Sequence, residues 1–202
     1  MRDRYSTFAA LSAAEPADAF SISMCDRGTR LVVAAPHGGG IEPGTSEIAV
    51  AIAGAQLSYY LFEGHKRQGN TVLHITSSHF DEPRGVALLR RAACVLTVHG
   101  EASESDAVYL GGLNASLKRA LRTALEKRGY VVGEKANLLG LDERNICNVG
   151  STGAGVQLEL SAGLRRAFFE SLARAGRAKP TARLAEFSGI VRETALAEIA
   201  LC

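Results

Sequence analysis

The stretch "LVVAAPHGGGIEPGTSEIAVAIAGAQL", residues 31 to 57, holds the two periodicities that decide the fold. Its opening, "LVVAA" (31–35), is a short apolar run rich in β-branched residues. From Thr45 to Leu57, "TSEIAVAIAGAQL", apolar residues recur at three and four spacing. A strand followed by a helix is predicted. The connection between them sets His37 and Glu42 on either side of three glycines and closes with Pro43-Gly44. Ordered glycine costs folding entropy, so a triple glycine needs a reason, such as an unusual backbone shape or the close approach of a ligand.

The same alternation extends outward along the chain. "TVLHI" (71–75), "ACVLTV" (93–98) and "GVQLEL" (155–160) read as further strands, and "PRGVALLRRA" (83–92) and "LNASLKRALRTALEKRG" (113–129) as helices. "GLRRAFFESLARAGRAKP" and "TARLAEFSGIVRETALAEIA" read as two more helices broken at Pro180. Strands alternating with helices predict an α/β, three-layer architecture, a mostly parallel sheet with helices on both faces. At 202 residues, 47% hydrophobic, with no internal repeat or clear linker, residues 1–202 are expected to form one globular domain.

Composition excludes several function classes. No apolar run approaches the roughly 20 residues of a membrane-spanning helix, and "MRDRYSTFAALSAAEPADAF" carries acids and a proline where a signal peptide has an apolar core. The expectation is a soluble, cytoplasmic protein with no membrane partner. Cys25, Cys94, Cys147 and Cys202 are widely spaced and form no CxxC pair, which favours reduced thiols over a disulfide framework or a zinc knuckle. A net charge of +2 gives no global field to hold nucleic acid, and no such partner is expected.

His37 directly follows the first strand and Pro36, and His99 directly follows "CVLTV", so both fall at carboxyl ends of strands, where open α/β sheets build their sites. With Glu42 they make the His₂Glu set that can hold a catalytic zinc and leave a fourth position for water. The spacing is His-x₄-Glu rather than the helical HExxH pattern, so a loop must fold back around the ion. On the residues alone this remains one reading beside a turn with a capping histidine and an oxyanion loop of an esterase, although no G-x-S-x-G occurs. In "GVQLEL", Glu159 alternates with Val156, Leu158 and Leu160 and falls on the opposite pleat face. A carboxylate there can serve a metallohydrolase as general base, be solvated on an edge strand, or pair with Arg165.

"APHGGGIEPGTSEIA", "LHITSSHFDEP", "LTVHGE", "YLGGLN", "NICN" and "GVQLELSAGLR" together resemble, in order and over nearly the whole chain, the phage poly-γ-glutamate hydrolase family. The resemblance implies a zinc carboxypeptidase-like fold with a mixed sheet. It also implies cleavage of γ-glutamyl amide bonds in a polyanionic substrate, zinc ligands at His37, Glu42 and His99, and, by analogy with zinc carboxypeptidases, Glu159 as general base. No organic cofactor is implied, and a prophage-borne gene would release its product on lysis. The Asn-Arg dipeptide with which zinc carboxypeptidases hold a substrate carboxylate is missing, which leaves Arg84, Arg144 and Arg165, with Asn145 and Asn148, as candidates for gripping glutamyl carboxylates. A surface salt bridge is the alternative for each arginine, and the favoured one for Arg84. His79 and Asp81 could orient the ligands from behind or cap the helix after Pro83. His65 reads as a surface histidine, His74 as a core one, and Cys94 and Cys147 as packed thiols. The competing functions are a zinc amidohydrolase or peptidase on another N-acyl or peptide substrate, and a non-catalytic phage replication-associated protein.

Overall fold

Strand β2 (Leu31–Gly39) runs through the interior with every residue buried, as its unbroken apolar start requires. The computed structural model describes residues 3–200, and Cys202 lies outside them. Among the described residues, β2 is joined by β1 (Phe20–Cys25), β3 (Ser58–Gly64), β4 (Cys94–Glu101), β5 (Ala107–Gly111), β6 (Val131–Gly133) and β7 (Val156–Ser161) in one sheet of order β1-β3-β2-β4-β7-β5-β6. The pairs β3–β2, β2–β4, β4–β7 and β5–β6 are parallel, while β1–β3 and β7–β5 are antiparallel. The sheet is mostly parallel, as the sequence pattern predicts, and mixed, as the resemblance implies.

One face is covered by α2 (Thr45–Ala53), α4 (Ala115–Glu126) and α7 (Ala182–Ala200), whose apolar side chains pack on Val33, Leu96, Leu158 and Leu160. Helix α4 shows how local sequence secures this layer. The Asn114 side chain accepts a hydrogen bond from the Leu117 amide (3.0 Å) at its start, and Leu117, Leu121 and Leu125, at i, i+4 spacing, are fully buried. Burying each leucine contributes about 1.5–3 kcal/mol. The other face carries α1 (Phe8–Ala14) and α3 (Pro83–Arg91), packed over Val32, Ala34, Tyr60 and Phe62. Beyond them, beside β4 and β7, loops replace helices and leave a cleft of about 510 Å³.

Several elements differ from the sequence expectation. "TVLHI" is not a strand: Gly69 adopts a left-handed conformation (φ 72°), a 3-10 turn covers Asn70–Leu73, and Leu73 and Ile75 are buried against the α3 side. "GLRRAFFESLARAGRAKP" is not one helix but α5 (Ala162–Ala167) and α6 (Arg174–Arg177), because Phe169 and Pro180 form an antiparallel bridge that turns the chain between them. Strands β1, β3, β5 and β6 and helix α1 are additional to the predicted elements; "SYYLFEG" in β3 and "AVYLG" in β5 are rich in aromatic and β-branched residues.

The triple glycine has a packing reason. Ala35 pairs with Leu61 and Gly38 with Glu63, so β2 carries one extra residue at Pro36–His37, a bulge at which proline's missing N–H costs no ladder bond. Gly39 has φ +65°, and a Cβ there would lie 2.5 Å from the Gly64 carbonyl oxygen. The loop folds against β3, and that fold brings Glu42 back: its amide donates to the His37 carbonyl at 2.8 Å.

Candidate active site

His37 and His99 lie near the carboxyl ends of β2 and β4, still within the strands. Their imidazoles meet, with the two Nδ1 atoms 3.1 Å apart. Glu42 closes the group, its Oε1 3.3 Å from His37 Nδ1 and its Oε2 3.7 Å from His99 Nδ1. Each orientation has a cause. His37 Nε2–H donates to the Ile75 carbonyl at 2.8 Å, which leaves the Nδ1 lone pair facing inward, and the His74 ring stacks on the His37 ring at 4.1 Å. The Gly100 amide donates to Glu42 Oε2 at 2.8 Å.

This donor set fits zinc. Two imidazole nitrogens and a carboxylate are the ligands a catalytic zinc takes, and bonds of about 2.0–2.1 Å in a tetrahedron place neighbouring donors about 3.3 Å apart. Observed separations of 3.1, 3.3 and 3.7 Å bracket that edge. The His37 Nδ1 lone pair and the Glu42 carboxylate face each other at 3.3 Å, a pairing that a positive centre would stabilise, and His99 Nε2 is buried without a hydrogen-bond partner. Burial would raise the Glu42 pKa, but His37 and His99 hold it well below the usual carboxylate range.

Glu159 stands beside this group. His99 and Glu159 are paired in register on the parallel strands β4 and β7, so both side chains project from the same face into the cleft. Glu159 is 8% exposed; burial pushes its pKa up, and the neighbouring His99 opposes the shift. Gln157 Nε2 donates to Glu159 Oε1 (3.1 Å) and to the Leu138 carbonyl (2.8 Å), while Asn145 Nδ2 donates to Gln157 Oε1 (3.1 Å). The sequence pattern puts Gln157 on the same face as Glu159 but gives it no role, which only the neighbouring loop carrying Leu138 and Asn145 supplies.

The cleft brings His37, Glu42, His99, Glu159 and Asn145 together, and the other candidates stand elsewhere. Asn148 is spent on the chain itself: its Oδ1 accepts from the Leu113 and Gly155 amides, and its Nδ2 donates to the Gly140 and Asp142 carbonyls. Arg165 is 5% exposed, and its guanidinium donates to the carbonyls of Leu160, Pro43 and Glu101, so it neither pairs with Glu159 nor lines the cleft. Arg84 is exposed and bonds Glu82, the residue that caps α3 in place of His79 or Asp81. Asp81 accepts from the Phe8 amide at the start of α1. His79 and Arg144 line a separate groove, Arg144 being forked onto Asp142. Neither His79 nor Asp81 lies behind the ligands. His74, expected in the core, lines the cleft; the support it gives His37 had no signal in its own stretch of sequence. His65 bonds Ser21 Oγ at 2.6 Å. Cys94 and Cys147 are buried thiols packed in the interior, and burial pushes that of Cys147 up to about 12.

The sequence profile of the poly-gamma-glutamate hydrolase family matches residues 5–190. The chain belongs to that family. Among poly-gamma-glutamate hydrolase relatives of known structure, a bacteriophage poly-gamma-glutamate hydrolase superposes with a TM-score of 0.95 at 31% identity, covering 100% of both chains. A zinc-free apo form of YndL gives a TM-score of 0.92 at 34% identity, covering 98% of this chain and 99% of that one. The SPbeta prophage-derived UPF0714 protein YoqZ of Bacillus subtilis (strain 168) is 38% identical over 178 residues, 87% of this chain. The chain spans only 65% of the length of YoqZ. Among the described residues, no helix is long and apolar enough to cross a membrane.

Proposed function

We propose that this protein is a zinc-dependent hydrolase that cleaves the γ-glutamyl amide bonds of poly-γ-glutamate. The observation that carries the reading is the meeting of His37, Glu42 and His99 with a buried carboxylate, Glu159, one strand away, in a chain of the poly-gamma-glutamate hydrolase family. His37, Glu42 and His99 would hold the ion; when bound, zinc supplies Lewis acidity to the amide carbonyl and acidifies water at the site towards a pKa of roughly 7. Glu159 takes the proton from the attacking water at a carboxylate oxygen and hands it to the leaving amine nitrogen. Its raised pKa suits both halves of that transfer. Gln157 fixes the carboxylate through Oε1 and leaves Oε2 for the water. The relatives support the reading in what they are: a phage poly-gamma-glutamate hydrolase, and a protein whose apo form is described as zinc-free.

The test compares γ-linked and α-linked polyglutamate with zinc-loaded protein by chromatography of the products. Fragmentation of the γ-linked polymer is expected, and cleavage of α-linked peptides alone would overturn the proposal in favour of a peptidase.

A further inference from the structure

The charged groups on the cleft wall, the histidines apart, are the carboxylates Glu42, Glu101, Asp142 and Glu159; no lysine or arginine is among the described lining residues. A γ-linked glutamate chain carries a free α-carboxylate on every unit, so this wall needs a cation at its rim. We propose that Lys135 is that cation and receives a substrate α-carboxylate by exchanging it for Glu101, an inference that rests on the substrate reading above.

Three observations carry it. Lys135 Nζ lies 2.7 Å from Oε1 of Glu101, itself on the cleft wall, and 5.3 Å from the centre of the Tyr109 ring, and Tyr109 is the register partner of Glu159 on β5. Lys135 therefore stands against β5, the strand next to the one that bears the proposed base. Second, Glu101 keeps partners without it: the Ser103 amide (3.0 Å) and Ser103 Oγ both donate to Oε2, so a departing lysine uncovers Oε1 alone, on a wall open to water. A partly exposed Lys–Glu pair is weak, and exchange costs little. Third, the other cations are committed. Arg165 spends its guanidinium on three backbone carbonyls, and the Arg144 fork is already filled by Asp142, whereas an ammonium with three donors keeps two beyond its contact with Glu101.

The experiment measures Kd for a fluorescent γ-linked glutamate hexamer, and for the same hexamer with its α-carboxylates amidated, on zinc-loaded protein carrying Glu159→Gln to slow turnover. Where the hexamer is still cut during titration, KM replaces Kd. Lys135→Met should weaken the acidic hexamer by roughly ten-fold or more and leave the amidated one unchanged, and Lys135→Arg should restore binding. Glu101→Gln should tighten the acidic hexamer, because it frees the lysine; a merely structural pair would make both substitutions harmful. The proposal is overturned if Lys135→Met binds within about two-fold of its parent, if the loss is shared by the amidated hexamer, or if Glu101→Gln weakens binding as Lys135→Met does. A protein that binds the acidic hexamer through Lys135 yet never cuts it counts for this inference and against the hydrolase reading.

Discussion

Glu159 is a buried carboxylate that shares its face of the sheet with His99 and Gln157, and at the scale of a single residue the cost of its burial needs a return. Burial pushes its pKa up, which is a penalty for folding and an advantage for a group that must accept a proton and release it again. The competing view, a structural partner of Arg165, finds no support in the geometry, since that guanidinium is used on main-chain carbonyls. Glu159→Gln keeps the oxygen that accepts from Gln157, so shape and zinc content should hold while turnover falls by roughly 10²-fold to 10⁴-fold. Turnover, zinc content and melting temperature measured on one preparation decide the matter: near-normal turnover at full zinc occupancy would remove Glu159 from the chemistry.

At the scale of elements, the end of β2 is the part that must be built correctly. Gly39 and Gly69 both have positive φ, but a side chain at Gly69 meets nothing within 4 Å while one at Gly39 meets the Gly64 backbone. Gly69→Ala should therefore cost only the left-handed strain, about 1–2 kcal/mol. Gly39→Ala should cost that plus overpacking of about 1–3 kcal/mol. Urea unfolding of the pair reads the difference directly, and equal losses would mean that β3 does not press on the loop. This element also marks how far the sequence could be read. The strand before His37, the helix after Gly44 and the two-residue alternation around Glu159 were legible because each is a local periodicity. The bulge at Pro36–His37 and the stacking of His74 on His37 were not, because each depends on which strand or loop lies alongside. "TVLHI" misled for the same reason: Leu73 and Ile75 are apolar to fill the core beneath α3, not to pair in a sheet. The arginines were the least legible, since a guanidinium held by main-chain oxygens and one free for substrate look alike in a sequence.

For the molecule as a whole, the proposed ligands come from β2, its following loop and β4, and the proposed base from β7, three strands adjacent in space and far apart in the chain. An ion held by ligands from β2, its loop and β4 binds the folded chain alone. Zinc at about 100 times its Kd should then add about 2.7 kcal/mol of stability, a rise of roughly 5–10 °C in Tm for a chain of this size. His37→Ala and His99→Ala should abolish both the shift and the bound zinc. Calorimetry with metal analysis checks this, and full stoichiometry in both variants would sink the ligand assignment. The strand order has a kinetic corollary. Leu31 lies beside Cys94 and Leu96 beside Val156, so long loops must close before the central strands can pair, and such closures set a slow pace for folding. A cation that waits for the last of them cannot hasten the search; it acts afterwards as a latch, lengthening the lifetime of the native chain by slowing its opening.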